Sequence, residues 1–405
     1  MMLIRLSWRN IWRNHRRSFI ILTSVVVGLI AIVFIEAVVR GFMRQSLDNQ
    51  LGAHTAHIQV HRTGYHDNPD IDRFIARPDV VDSALAAERR IAASSRRILT
   101  TGLLTSARNS SGVMFVGIEP GREQHVTTIH RSIVAGRNLG TDPREILISE
   151  RMAKTLDIGL GDKVVAMSST REGRVGSELF RVVGLFRTPI LEFDRLHAYI
   201  PYATAQHLIG AGIEAAEFAM VLRSTADLNP VRDSLRTVLG PDLEVQSYED
   251  LIPSLAATVE LTEKSMIIYY VILGLAMIFG IINTMMMSVF ERIREFGVLK
   301  AVGMQDGMLF RMVLMEAAML GTVGTSIGLV LGNALNAWIA SSGLDFSWFA
   351  EGLSSWGSGA IIYPVLDPLG SVRGGLLIIA MCILAALQPA LRAVRLQPMD
   401  AIRHL

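Results

Sequence analysis

Long apolar runs bracket one long stretch of mixed polarity. Four windows, 19–35, 266–290, 317–344 and 374–391, hold no Asp, Glu, Lys, Arg or His, and they are 17, 25, 28 and 18 residues long. Each has the length of a bilayer crossing. Between the first and second windows the period shortens to alternating segments such as HIQVH, KVVAMS, FRVVGLF and HAYIP, separated by Gly, Pro and Asp. These predict β-strands. Helical spacing over 143–157 and 227–239 predicts helices between them. The fold class is therefore membrane α-helical plus α+β: four transmembrane helices, with a large extracytoplasmic α+β domain, of two lobes, between the first and second.

Charge gives these elements an orientation. Residues 1–18 carry Arg5, Arg9, Arg13, Arg16 and Arg17 and no acid, which under the positive-inside rule keeps this end in the cytoplasm. Arg5, Arg9 and Arg13 recur every four residues while Ile4, Trp8, Ile11 and Trp12 gather on another face, the pattern of a helix lying at a membrane surface. No small-residue cleavage pattern follows Ile35, so the first helix is expected to stay attached. The plan reads as an amphipathic cytoplasmic helix (1–18), a first span (19–42), an extracytoplasmic domain with stalks (43–264) and a second span (265–290). A cytoplasmic connector (291–306), a third span (307–344), an outer loop (345–371), a fourth span (372–391) and a cytoplasmic tail (392–405) complete it. The outer loop holds Asp345, Glu351 and Asp367 but no Lys or Arg, whereas the tail holds Arg392, Arg395 and Arg403.

Ser247 and Asp250 form a capping-box start. Helical residues then run past Pro253 to Phe290, and about 40 residues at 1.5 Å each reach about 60 Å, roughly twice the hydrocarbon core. The excess is expected to project as a stalk, with the first span extending likewise through Phe42 and Leu47.

Composition narrows the chemistry. Half of the 405 residues are hydrophobic, 19% are charged, and mean hydropathy is +0.38, which argues against a purely soluble protein. A net charge of +2 offers no field for nucleic acid. The single cysteine, Cys382, lies in the fourth window, so the outer domain is expected to hold no internal disulfide. No G-x-x-x-x-G-K-[ST] occurs; GLGDK at 159–163 lacks its spacing and hydroxyl. No H-E-x-x-H or C-x-x-C occurs either, and the chain is not expected to be an enzyme or to carry a cofactor.

His54, His57, His61 and His66 cluster beyond the first span. On a strand His57 and His61 share a face with Gln59 about 13 Å apart, which favours a polar sheet face over a metal site. Gly321, Gly324, Gly328 and Gly332 recur every three or four residues in the third span and predict close helix packing. Asn283 is expected to make an interhelical hydrogen bond. Glu36 with Arg40, and Glu316, lie near span ends, where pairing or snorkelling lowers their cost.

The connector ERIREFGVLKAVGM, Glu291 to Met304, is longer than a turn requires. It predicts a short amphipathic helix stopped by Gly303, with Phe296 and Leu299 set among Glu291, Arg292, Arg294, Glu295 and Lys300, and Gly297 between them. Such a peg suits docking into a groove on another protein.

This connector resembles the coupling helix of the FtsX/MacB-type permeases of ABC transporters. The tail QPALRAVRLQPMDAIR, the start SWRNIWRNHRRS, and EILISERMAKTLDIGLGDKVVAM with FRVVGLFRTPILEFDRLHAYIP in the outer domain are similar to that family as well, so the resemblance covers nearly the whole chain. It implies a multi-pass protein of the bacterial inner membrane, with both termini cytoplasmic and two permease subunits, the second a copy or a paralogue. It also implies a separate ATPase dimer that binds ATP and Mg and docks on the coupling helices, and mechanotransmission across the membrane. The start of the outer domain most resembles the lipoprotein-releasing Lol permeases, which implies a lipoprotein substrate taken from membrane lipids. Their carrier-binding hairpin corresponds to Thr170, Arg171, Glu172, Gly173, Arg174 and Val175, which would meet a periplasmic carrier protein; the prolines of that hook are absent here. Export of peptides or amphiphiles, as in MacB-like systems, and signalling to a cell-wall hydrolase, as in FtsX itself, are the alternatives.

Overall fold

The computed structural model describes residues 2–13 and 15–395, the side chains of 2–4 and 263 excepted. The tail beyond Arg395, with Arg403 and the end of the closing motif, lies outside the described residues.

The chain opens with helices α1 (Met2–Arg13) and α2 (His15–Gln50), the latter ending in a π-helical turn, Leu51–Thr55. There follow β1 (Ile58–Arg62), α3 (Pro78–Ala87), β2 (Ile91–Thr105), β3 (Ser110–Ile118), α4 (Pro120–Glu123), β4 (Ile133–Gly136), β5 (Glu145–Ser149) and α5 (Glu150–Leu156). Then come β6 (Lys163–Ser169), β7 (Val175–Phe186), α6 (Leu191–Leu196), β8 (His197–Pro201), α7 (Tyr202–Ile209), β9 (Glu217–Leu222), α8 (Leu228–Leu239), β10 (Leu243–Ser247) and α9 (Tyr248–Leu251). The remainder is α10 (Pro253–Glu291), α11 (Ile293–Ala301), α12 (Asp306–Ser342), β11 (Leu344–Asp345), α13 (Ala350–Ser355), β12 (Ile361–Ile362) and α14 (Pro368–Val394).

These elements form two compact units, one of residues 1–43, 260–345 and 361–405, the other of 44–259 and 346–360. Four helices, α2 with its π-turn, α10, α12 and α14, are long and apolar enough to cross a membrane. Their shared core includes Val25, Leu29, Ile281, Met285, Met312, Ile378 and Ala386. Buried Glu36 is paired: Arg40 lies 3.1 Å from Glu36 and 2.9 Å from Asp367, and Asp367 caps α14 by accepting from the Leu369 amide.

The other unit is built on a ten-stranded sheet in the order β10-β1-β9-β2-β3-β8-β5-β7-β4, with β6 bridging β2 and β7. One core, under α3 and α8, holds Ile58, Val60, Phe218 and Val231; another, under α5 and α7, holds Phe115, Ile148, Phe180 and Leu208. The long strand β2 joins them, pairing β9 from Ile91 to Arg97 and β6 from Gly102 to Thr105.

Two expectations are corrected. Residues 145–149, read as the start of a helix, form β5, because EILIS is buried on both faces between β7 and β8; the helix begins only after Ser149, whose hydroxyl accepts from the Met152 amide. The helix expected from Ser247 to Phe290 is two. The capping box is present, but Pro253 pushes the residue before it out of helical geometry. Ile252 accordingly has φ −126° and ψ 68°, and α10 restarts at Pro253. Within 345–371 the chain also forms α13 and, together with Leu344, the β11–β12 ladder.

Candidate functional site

The connector at 291–306 is a folded element. α10 stops at Glu291, Arg292 leaves helical geometry (φ −105°, ψ 13°), and α11 runs from Ile293 to Ala301. It ends in a Schellman motif: Met304 N–H donates to Leu299 O (2.9 Å) and Gly303 N–H to Lys300 O (3.0 Å). Gly303 takes φ +102°, a conformation that costs little only without a side chain.

What α11 shows to solvent differs from the expected peg. Phe296, read as a docking residue, is 1% exposed and packs into the helical unit's core, with the Arg292 guanidinium 5.0 Å above its ring. Arg292 is itself buried and bonds Glu295 (3.0 Å) and Glu316 (3.1 Å). Arg13 pairs with Glu295 and Arg17 with Glu291, and Lys300 pairs with Asp306 (2.9 Å) while donating to Val394 O (2.8 Å). For Glu295 burial disfavours charge, but the hydrogen bonds from Arg292 and Arg13 outweigh it and hold the carboxyl below its ordinary range. The outer apolar surface of the element is Val298 and Val302, 50% and 83% exposed, beside exposed Glu291 and Arg294. A nine-residue helix has one face to bury, and the larger side chain takes it. Leu299 and Met304 are half-buried against the same core, and Gly297 is buried.

α1 is tied to this element's surroundings. Ser7 and Ile11 are buried, and Ser7 Oγ donates to Met312 O (3.3 Å) on α12. Trp8 and Trp12 stay exposed, edge to face at 5.8 Å.

The glycine stripe on α12 is a packing surface with two partners. A Cβ on Gly324 or Gly328 would meet Val25 at 2.7 Å or Leu29 at 3.1 Å of α2; Gly332 faces Ile30 and Val33, and Gly321 faces Cys382 of α14 at 3.1 Å. The run Gly324 to Gly328 also fits G-x-S-x-G, but Ser326 lies inside the helix and donates to Thr322 O (2.9 Å), so it forms no nucleophile elbow. Asn283 does not make the expected interhelical bond. Ile281 and Met285 are the buried face of α10, and Asn283, between them, points outward to an open cleft with Arg13, Arg17 and Glu291. The buried amide that joins helices is Asn336, which donates to Val33 O (3.2 Å).

The hairpin Thr170 to Val175 is a tight β6–β7 turn with Gly173 at φ +74°. Arg171 is held within its unit by Asp72 (3.2 Å) and Glu214 (2.8 Å). Arg174 pairs with Glu172 at the exposed tip, and Val175 is 75% exposed.

A site that pattern reading missed lies where the π-turn meets the sheet. Helix C-termini leave carbonyls without partners; here all five are taken. Leu51 O accepts from Ala56 N (2.9 Å), Gly52 O from Thr128 N (2.7 Å), Ala53 O from Tyr199 Oη (3.3 Å), His54 O from Arg97 Nη1 (2.6 Å) and Thr55 O from Gln59 Nε2 (3.0 Å). Arg97 is fully buried. It also donates to Glu217 (2.8 Å) and, in a two-bond fork, to Glu123 (2.8 and 3.1 Å). Burial opposes the charge on Arg97, but the two carboxylates outweigh it and raise its pKa. Burial pushes Glu217 up and, with Arg97 near, pushes His54 well below its ordinary value. The four histidines do not converge: His57 accepts from Leu222 N (2.9 Å), His61 bonds Gln59 (2.9 Å) in the buried sheet face, and His66 is exposed. The one sequence signal for this socket was the pair Arg96-Arg97 in a strand that is otherwise uncharged.

Comparison with known proteins covers both units. Residues 267–398 match the FtsX-like permease C-terminal family and residues 18–238 the MacB-like periplasmic core domain. The chain is 26% identical to a lipoprotein-releasing system transmembrane protein LolC of Neisseria meningitidis serogroup B, over 97% of this chain and 96% of that protein. It is 25% identical to a macrolide export ATP-binding/permease protein MacB of Campylobacter fetus, over 96% of this chain but 59% of that protein. A solved periplasmic region of MacB from Actinobacillus actinomycetemcomitans aligns with 53% of this chain and 97% of its own, at 16% identity and a TM-score of 0.38. With the core-domain family spanning more than half of the sequence and the permease family covering α10 to α14, the chain belongs to the FtsX/MacB-type permeases of ABC transporters.

Proposed function

We propose that this chain is a permease subunit that receives force from a separate ATPase at α11 and passes it along α2 and α10 to the sheet unit, extracting lipoproteins from the outer leaflet of the inner membrane. In this reading both termini and α11 are cytoplasmic and the sheet unit is extracytoplasmic, as the basic residues at 1–18 and 291–306 favour. The ATPase dimer binds ATP and Mg, and a second permease subunit completes the complex.

The observation that carries the reading is the construction of α11. A docking helix transmits force only if it is fixed to what it moves, and Phe296 and Arg292 fix this one to the helical core while Val298, Val302, Glu291 and Arg294 remain outside. Further support comes from α2 and α10, which at 1.5 Å per residue are about 54 and 58 Å long. Each contains a boundary between the two units. The lipoprotein assignment rests on end-to-end correspondence with LolC. The hairpin around Arg174 is the candidate contact for a periplasmic carrier.

The test is co-purification with an ATPase. Val298→Asp with Val302→Asp should abolish association and transport-linked ATP turnover in a folded, inserted chain, while Val238→Asp on exposed α8 should change neither. Full association after the double change would overturn docking at α11. Release of a triacylated lipoprotein from vesicles separates extraction from export of an unacylated peptide or amphiphile, the reading that the MacB-like core domain favours second.

A further inference from the structure

We propose that the segment between α12 and α14 is a membrane-interface anchor, with Trp348 and Phe349 seated in the headgroup and upper acyl region of the bilayer. The proposal goes beyond the transport reading and requires only that α12 and α14 cross a membrane.

Trp348 is 80% exposed and Phe349 53%, and their rings stand 5.6 Å apart, with Phe346 6.4 Å from Trp348. Two large aromatic side chains on a water-facing turn are an unfavourable surface unless something covers them. They do not hang on a loose loop: Trp356 O accepts from Ser46 Oγ, and Gly357 O from Asn49 Nδ2 (2.9 Å), so the segment is fastened to its own unit behind the aromatic turn.

The tether names the occupant. α12 ends at Ser342, at the close of the uncharged window 317–344, so this helix end lies at a bilayer surface. Only five residues lie between Ser342 and Trp348, a reach of at most about 20 Å. Trp338, one turn before the helix end, is 71% exposed, and Tyr363, five residues before α14, is 47% exposed. Trp and Tyr at both chain ends of a segment held between two spans is the composition of an interfacial belt. Residues 343–363 contain Asp345 and Glu351 and no Lys or Arg, so attraction to anionic headgroups contributes nothing and the seating depends on aromatic burial.

Cys382 is the only cysteine and is buried, so Trp348→Cys in the full chain gives one labelling position for a polarity-sensitive fluorophore. In phosphatidylcholine vesicles its emission should shift to the blue. It should be quenched more by lipids brominated near the top of the acyl chain than by lipids brominated near its end, and be protected from iodide. Adding salt or anionic lipid should change none of this. Emission that stays water-like, or protection from iodide without lipid quenching, which signals a protein occupant, would overturn the proposal. A second label at Phe349→Cys gives the same readout if the first variant folds poorly. Release of the whole chain by alkaline carbonate would instead refute the spans themselves.

Discussion

Arg292 Nη1 lies 3.1 Å from Glu316 Oε2, joining the residue where α10 gives way to α11 to the N-terminal half of α12. Both side chains are more than nine-tenths buried. Removing one partner of such a pair leaves an uncompensated buried charge and costs about 3–5 kcal/mol.

Glu316→Ala is therefore expected to lower the unfolding temperature of the detergent-solubilised chain far more than Glu351→Ala on the exposed α13. Because Arg292 also holds Glu295 and covers Phe296, the same change should loosen α11 and raise its amide hydrogen exchange. Unchanged exchange in α11 would show that the ion pair does not hold this helix in place.

Phe296→Asp should unfold the helical unit rather than merely uncouple it, since a buried carboxylate replaces a ring packed in the core. The informative comparison is with Val298→Asp, which should leave thermal stability within about 0.5 kcal/mol of the parent. Equal stability of the two variants would mean that Phe296 is not packed as described.

Gly324→Leu should destabilise by about 1–3 kcal/mol, because its first carbon already meets Val25 at 2.7 Å. Gly280→Ala on α10, where nothing lies within 4 Å, should not. Denaturation in mixed micelles that ranks the two alike would contradict the stripe's role in seating α12 on α2.

Arg97→Met should leave Glu123 and Glu217 buried without their cation and cost about 3–5 kcal/mol. Adding Glu123→Gln and Glu217→Gln should recover much of it. If α2 drives the sheet unit through this socket, the triple variant should fold, associate with its ATPase and yet transport poorly; normal transport would reduce the socket to a structural feature.

Acid should weaken the sheet unit through its histidines. Burial, with His66 and Arg97 adding, pushes His61 down to about 3, and burial pushes His197 to about 4. The unfolded chain protonates both near 6.5 while the folded chain does not. Stability present above that pH is thus lost as pH falls, at up to about 1.4 kcal/mol per pH unit for each. Glu217 and Asp194, raised by burial, act in the opposite sense. The His61 share is isolated by His61→Asn, whose Tm should fall less than the parent's between about pH 7 and about pH 5. Parallel curves would show that His61 is not buried neutral.

The four long helices, the strands β1, β6, β7 and β8, the stop at Gly303 and the glycine stripe were all legible in the sequence. Each is set by a local rule: an uninterrupted apolar run, a period of two, a positive φ, or the absence of a side chain. What tertiary structure alone decided was direction and partnership. Phe296 rather than Val298 turns inward because α11 packs one face on the helical core, and the larger apolar side chain gains more from burial there. Asn283 turns outward and Asn336 inward because Ile281 and Met285 form the packed face of α10, whereas Asn336 lies on the packed Gly332 face of α12, although both read alike as polar residues in apolar windows. EILIS became a strand because strands distant in sequence lie on both sides of it, and Arg97 became the cap of a helix whose last residue is Thr55. Packing neighbours far apart along the chain set these outcomes, and no window of consecutive residues contains them.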